Sequence, residues 1–216
     1  MESVLDEKFT LVDLVDPAVL KEICEAYASS FEVGVQVVSK EGKLLVSVFN
    51  ENPFPNGNKS PVKIWEKISA RLYTSPAELQ SVVQTKAYGG MRFALFPLQY
   101  EFETLGRVII GPYRSLEKDG ADLSEKARQE ISENQLDPDD VLKLPAIEQS
   151  RLRKMTNLLA KVMDGFLFIN AKRLITTKMH MDTLFESREK IFKEVEKQDS
   201  QSQEDKEEIE KLKNMF

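Results

Sequence analysis

The sequence of 216 residues contains one cysteine, Cys24, and one histidine, His180. A single cysteine excludes an intrachain disulfide and every metal site built from paired CxxC motifs. A single histidine excludes metal sites that need several imidazoles. Because secreted scaffolds of this size usually carry more cysteine, the composition favours a reducing, cytoplasmic environment.

Long apolar runs and an excess of positive charge are also missing. No window approaches the roughly 18 apolar residues of a membrane-spanning helix, and the acidic residues 1–7 do not resemble a signal peptide. The chain carries 30 Lys and Arg against 36 Asp and Glu, which gives a formal net charge of −6. We therefore expect a cytoplasmic protein with no nucleic-acid partner and no membrane partner.

Motifs for phosphate binding and nucleophilic catalysis do not occur. The sequence has no GxxxxGK[ST], GxGxxG or GxSxG motif, and Gly89-Gly90 precedes a strand-like run rather than a helix. Carboxylates mostly follow charged helical faces, which is typical of solvation. We predict no enzymatic activity, no catalytic residue, no metal site and no cofactor. For His180 the alternatives are a solvated helix residue and a phosphate-accepting residue on a dimeric helix.

The apolar pattern alternates between helical and strand-like periods. Strand-like runs, which predict two hairpins, span residues 33–38, 44–49, 91–99 and 105–111. Helix starts are predicted at Asp16-Pro17, Ser60-Pro61, Ser75-Pro76, Ser124, Asp137-Pro138 and Pro145. The helix from Ser75 would include Val83 in its apolar stripe, and a polar loop would begin at Tyr113. Together these elements predict an α+β fold with an antiparallel sheet flanked by helices.

The last third of the chain follows a heptad pattern that begins at Leu174. The apolar a and d positions, which we predict to form a dimerisation seam, are Leu174, Met181, Leu184, Ile191, Val195, Ile209 and Leu212. Polar residues interrupt the seam at Gln198, Ser202 and Asp205. The alternative is that this third of the chain is a solvated, partly disordered charged tail, in which residues 197–208 have almost no apolar content and are the most prone to fray. We expect a sensory domain at 1–165 and a long helix with a coiled coil at 166–216.

Residues 87–98 begin with Ala-Tyr-Gly-Gly and end in Phe96-Pro97-Leu98, and residues 105–112 form a glycine-bounded apolar strand. With residues 14–16 and 35–44, these segments resemble the PocR-type ligand-binding domain, a PAS-like sensory domain. The resemblance covers about residues 10–165. It implies a PAS-like antiparallel sheet in a bacterial signalling protein that senses a small organic molecule.

The chain departs from that pattern at two places. Many family members carry cysteines after the first hairpin and a Cys-His pair before the third strand, whereas this chain has Asn52-Pro53-Phe54-Pro55-Asn56 and Lys86-Ala87-Tyr88 there. The resemblance therefore does not extend to metal or redox sensing by thiols.

Aromatic residues and one arginine are the candidate ligand-binding residues. They are Phe54, Trp65, Tyr88, Arg92 and Tyr113, and the guanidinium would hold an anionic or carbonyl group. Core packing of Trp65 and a polar strand edge are the alternatives.

Two functions follow from these observations. In the first, a non-enzymatic module senses a small molecule in a PAS-like pocket and signals to a protein partner through the C-terminal helix of a homodimer. In the second, a ligand-free adaptor acts through protein–protein contacts of the domain surface and the coiled coil.

Overall fold

The computed structural model of the chain describes residues 9–49, 83–86, 88–117, 123–134 and 136–213. Its contacts divide the chain into two compact units. One unit comprises Lys8–Asn170, and the other comprises Met1–Glu7 with Ala171–Phe216. The helix starts predicted at Ser60 and Ser75 lie outside the described residues, as do the candidate residues Phe54 and Trp65.

The described elements follow one another as helix, hairpin, hairpin and long helix. In chain order they are α1 (Leu11–Leu14), α2 (Pro17–Phe31), β1 (Val35–Ser39), β2 (Leu44–Val48), β3 (Val83–Lys86), a 3-10 turn (Tyr88–Gly90), β4 (Arg92–Tyr100), β5 (Glu103–Ser115), α3 (Glu125–Glu133), α4 (Pro138–Lys143), β6 (Ala146–Ile147) and α5 (Gln149–Lys213). Asp16 caps α2 by accepting a hydrogen bond from the Ala18 amide at 2.8 Å, as the Asp-Pro pair predicts.

Five strands form an antiparallel sheet in the order β2-β1-β5-β4-β3. The two hairpins are therefore joined through β1 and β5, which occupy central positions. The short strand β6 adds to the end of β5 in parallel. This arrangement is an α+β, PAS-like fold, as expected from the sequence.

One face of the sheet packs under α3 and α4, and we call it the α3 face. Alternation along the strands turns Val38, Phe93, Leu95 and Ile109 to this side, where they are at most 6% exposed. The helices contribute apolar side chains, of which Ile131 is fully buried. The core of the Lys8–Asn170 unit therefore includes this layer between sheet and helices.

The 3-10 turn before β4 brings the backbone very close to α3. Gly89 has a φ of +62°, and a Cβ atom there would overlap the Ile131 side chain. The Gly89 amide also donates a hydrogen bond to Glu130 Oε2 at 3.2 Å. Glycine is therefore required at this position by both conformation and space.

The part of α5 within the first unit buries one stripe of side chains. Its buried apolar residues are Leu152, Met155, Leu159, Met163 and Leu167. Leu158 and Val162 lie on the same part of the helix but outside this stripe, and they are 51% and 43% exposed. Asn170 Nδ2 donates a hydrogen bond to the Leu14 carbonyl at 2.8 Å, which ties the helix to α1.

The structure corrects three sequence-based boundaries. Tyr113 does not begin a loop, because β5 continues to Ser115 and its end pairs with β6. Val83 belongs to β3, where it pairs with Leu95, and not to a helix. Pro145 does not start the long helix, because its carbonyl accepts a hydrogen bond from the Arg114 amide at 2.9 Å.

Candidate functional site

A hydrogen-bonded pair of uncharged polar side chains, one buried and one half-buried, lies on the hairpin β1–β2. Gln36 is only 1% exposed, and its Nε2 donates a hydrogen bond to Ser47 Oγ at 3.0 Å. Gln36 is the register partner of both Ser47 and Ile109. Since cross-strand partners share a face, the pair lies on the α3 face of the sheet.

The surroundings of this pair are apolar. Phe49 lies against Gly34, so closely that a Cβ atom on the glycine would overlap the Phe49 ring. Phe49 also packs against the cluster formed by Val38, Phe93 and their neighbours. A buried amide hydrogen-bonded to a half-buried hydroxyl, beside apolar side chains, is an arrangement that can orient a small molecule in a binding site. We call Gln36 and Ser47, with Phe49, Phe93 and Ile109 around them, the candidate site.

Arg92 and Tyr113, both predicted from the sequence, are brought together by the sheet. They are cross-strand partners of β4 and β5, and Tyr113 is 1% exposed whereas Arg92 is half-buried. Because Arg92 alternates with Phe93 along β4, it points away from the α3 face. The structure therefore separates Arg92 and Tyr113 from the Gln36–Ser47 pair by the thickness of the sheet.

The other sequence candidates are distributed differently. The Tyr88 backbone forms the 3-10 turn directly before β4, one residue ahead of Gly89. Tyr100 lies at the far end of β4, where its ring contacts Phe9 edge-on with centroids 6.0 Å apart. Among the sequence candidates, the structure therefore pairs Arg92 with Tyr113 and places Tyr88 in the turn before the same strand.

Buried charged residues join the end of β5 to the elements that precede α5. Arg114 is 7% exposed, and its Nη1 donates a hydrogen bond to the Leu142 carbonyl at 3.2 Å. Asp140 on α4 is fully buried, and its Oδ1 lies 4.0 Å from Lys143 Nζ. The Gln149 amide at the start of α5 donates a hydrogen bond to Glu117 Oε1 at 3.2 Å. The central strand is therefore linked to the start of the long helix.

The only thiol is not activated. Cys24 is fully buried on α2, and desolvation together with the neighbouring Glu25 charge raises its pKa to about 12. Since the thiolate is the reactive form, this cysteine packs as a small apolar side chain. Burial also raises the pKa of Tyr27 on the same helix.

The predicted seam residues lie on a helix. Five of them are 40–65% exposed in the single chain: Leu174, Met181, Leu184, Ile191 and Val195. Ile209 is 54% exposed, and Leu212 falls within the helical segment. Residues 197–208, for which a disordered tail was the alternative, are also helical.

Two exposed aromatic side chains lie beside the predicted seam. Phe185 and Phe192 follow the d positions Leu184 and Ile191 and are about 60% exposed. The Arg188 guanidinium lies 5.7 Å from the centre of the Phe192 ring.

Membrane-spanning helices and clusters of metal-binding side chains are both absent from the described residues. None of the described helices is long and apolar enough to cross a membrane. Within the same residues, no three His, Cys, Asp or Glu side chains are grouped so that they could hold a metal ion.

The strand order and the helices that cover the sheet define a PAS-like domain. Residues 13–170 match the family model described as "Sensory domain found in PocR", a match that spans well over half of the chain. The chain therefore belongs to the PocR sensory domain family, and its role is in sensing a signal. No curated protein sequence matches the chain.

Sequence reasoning missed Gln36 and Ser47. Gln36 stands between Val35 and Val37, so alternation predicts a solvent-facing side chain. The signal that could have revealed it is the central position of β1, since both faces of a central strand are covered in this fold.

Proposed function

We propose that the chain is a ligand-sensing module in which a small organic molecule binds against the sheet and alters the packing of the C-terminal helix. The observation that carries the proposal is the hydrogen bond from the buried Gln36 to the half-buried Ser47, beside the apolar side chains of the α3 face. Buried amide and hydroxyl groups stabilise a fold little, but they orient a bound polar group effectively. Membership of a sensory domain family supports the same reading.

The route from sheet to helix supports a relay. β1 and β5 are neighbours, and the end of β5 is joined to β6 and to the first residue of α5 by backbone and side-chain hydrogen bonds. A ligand that shifts β1 or β5 would change the start of α5. Differential affinity of the ligand for two helix arrangements is the physical requirement of such a relay.

In this proposal the sensory domain covers residues 1–165 and the dimerisation helix covers residues 166–216. Its heptad seam pairs with a second copy of the chain, because an exposed apolar stripe on a long helix is unfavourable in water. The expected protein is a cytoplasmic homodimer that signals to another protein. The sequence-based ligand contacts are Phe54, Trp65, Tyr88, Arg92 and Tyr113. Arg92 and Tyr113 lie on the opposite face of the sheet from the Gln36–Ser47 pair, so they define a second place for the ligand, which native mass spectrometry of variants distinguishes from the candidate site.

A ligand-free adaptor is the second candidate function. One observation favours it: Ile131 fills the space beside Gly89 and belongs to the tightly buried cluster with Phe93 and Ile109. If side chains fill the whole α3 face, the domain would act only through its surface and the seam.

Native mass spectrometry of the purified full-length protein separates the two candidates. A dimer that carries a defined extra mass supports ligand sensing and gives the mass of the ligand. We expect Gln36→Leu, in the candidate site, to lose the extra mass, whereas Arg153→Ala on the exposed side of α5 keeps it. A dimer without extra mass favours the adaptor. An adduct that Gln36→Leu retains and Arg92→Ala loses would place the ligand on the opposite face of the sheet, at the sequence-based contacts.

A further inference from the structure

The turn between β4 and β5 combines backbone strain with an exposed aromatic ring. Tyr100 and Glu103 are register partners, so only Glu101 and Phe102 connect the two strands. Both residues have positive φ, 46° and 68°, as the central residues of a type I′ turn do. Asn and Gly are the residues that favour this turn, whereas Glu and Phe are strained in the left-handed region.

The Phe102 side chain makes no compensating contact within the fold. Its exposed fraction is 102%, the highest among the exposed large apolar residues of the described chain. A ring in this position gains nothing from burial and adds strain to the turn. Strained residues that persist without a local benefit are typical of functional sites.

The charges around the ring define the partner. Glu101 is exposed beside Phe102, and Glu103 follows on the other side. Carboxylates next to an apolar ring disfavour insertion into an anionic lipid surface and favour a cationic rim.

We propose that the Glu101–Phe102–Glu103 tip docks into an apolar pocket of another protein whose rim carries Lys or Arg side chains. Phe102 fills the pocket as the anchor, and the two carboxylates contact the rim. A single buried aromatic anchor commonly dominates the affinity of such a contact. The two-residue turn holds the ring in one position, so little conformational entropy is lost on docking.

The experiment uses a variant that keeps the turn and removes the ring. Glu101→Asn with Phe102→Gly gives the residues that a type I′ turn favours, and we expect the melting temperature of the full-length protein to rise by about 2–6 °C. Because Glu101 also forms a side-chain hydrogen bond with Tyr100, Phe102→Gly alone is the second variant. A lower melting temperature of Phe102→Gly would show that Phe102 stabilises the fold and would overturn the proposal.

The partner is captured by a photoreactive phenylalanine derivative at position 102 in cells that make the full-length chain, with the same group at the exposed Glu133 as control. The captured protein is then purified and its affinity measured. We expect the double variant to bind at least about tenfold more weakly, and Glu101→Gln to reduce the dependence of binding on salt.

Three results would contradict the proposal. They are capture at position 102 that does not exceed capture at position 133, equal affinity of the double variant, and binding of the wild-type chain, but not the double variant, to phosphatidylserine vesicles. The last result would assign the tip to a membrane surface. The outcome is independent of whether a ligand binds the candidate site.

Discussion

At the scale of single residues, Gln36 and Ser47 are two polar side chains of the α3 face that are joined by a hydrogen bond to each other. Removing one member leaves a polar group without its bond in an apolar wall. This costs more than removal of both members, because the desolvation of the remaining group is no longer offset. Variants of this pair can therefore be compared in two ways, by their free energy of unfolding and by their response to a ligand.

We expect Gln36→Leu to lower the free energy of unfolding by about 1–3 kcal/mol. Ser47→Ala should cost less, and the double variant should cost less than the sum of the two single variants. Urea unfolding of all four proteins measures this cycle. Costs that simply add would show that the 3.0 Å hydrogen bond contributes nothing.

The same variants test the ligand. If a molecule stabilises the wild-type protein, Gln36→Leu should lose that increment in melting temperature, because the amide that orients the molecule is gone. Retention of the full increment would move the ligand away from the candidate site. Phe102→Gly is the matched control, since it lies at an exposed turn.

At the scale of elements, the sequence predicted most strands well and failed at the short ones. β1 at Val35–Ser39 and β4 at Arg92–Tyr100 lie within one or two residues of the predicted runs. β6 has two residues and β3 has four, which are too short to show a period. Both depend on pairing with distant strands, and the extension of β5 to Ser115 depends on β6 in the same way.

A substitution at Gly89 tests how closely the 3-10 turn packs on α3. We expect Gly89→Ala to lower the free energy of unfolding by about 1–3 kcal/mol, because the new Cβ meets Ile131 and the φ of +62° is strained. Gly42→Ala is the control for strain alone, since its φ is +86° and no atom lies within 4 Å of the added Cβ.

Chemical denaturation of the variants distinguishes the two contributions. The excess cost at Gly89 over Gly42 measures the clash with Ile131. Equal costs at the two positions would show that α3 moves aside freely. Gly165→Ala, in open space on α5, should instead stabilise the protein by up to about 1 kcal/mol.

At the scale of the whole molecule, the two units present different kinds of surface. The Lys8–Asn170 unit covers its sheet with its own helices. None of the side chains described from Lys172 onward is buried, and the apolar residues there recur with a heptad period. This period could be read from the sequence alone, because it needs only local spacing. A second molecule on this stripe is part of the proposed function, and a single sequence does not contain such a contact.

Ile191 tests whether the second molecule is another copy of this chain. It is 61% exposed, occupies a d position and lies between Leu184 and Val195 on the seam. In a parallel dimer, Ile191→Asp would place two carboxylates opposite each other in a dry seam, so we expect the dimer dissociation constant to rise about 100-fold. Lys190→Asp makes the same acidic substitution one residue away, at the c position outside the seam, and should leave it nearly unchanged. Sedimentation velocity over a concentration series measures the dissociation constants of both variants.

An Ile191→Asp protein that stays dimeric would move the interface to the sensory domain, and a wild-type monomer would leave the apolar stripe for a different protein. Only loss of the dimer in Ile191→Asp, with Lys190→Asp intact, supports a relay in which two copies of the long helix are joined along this seam.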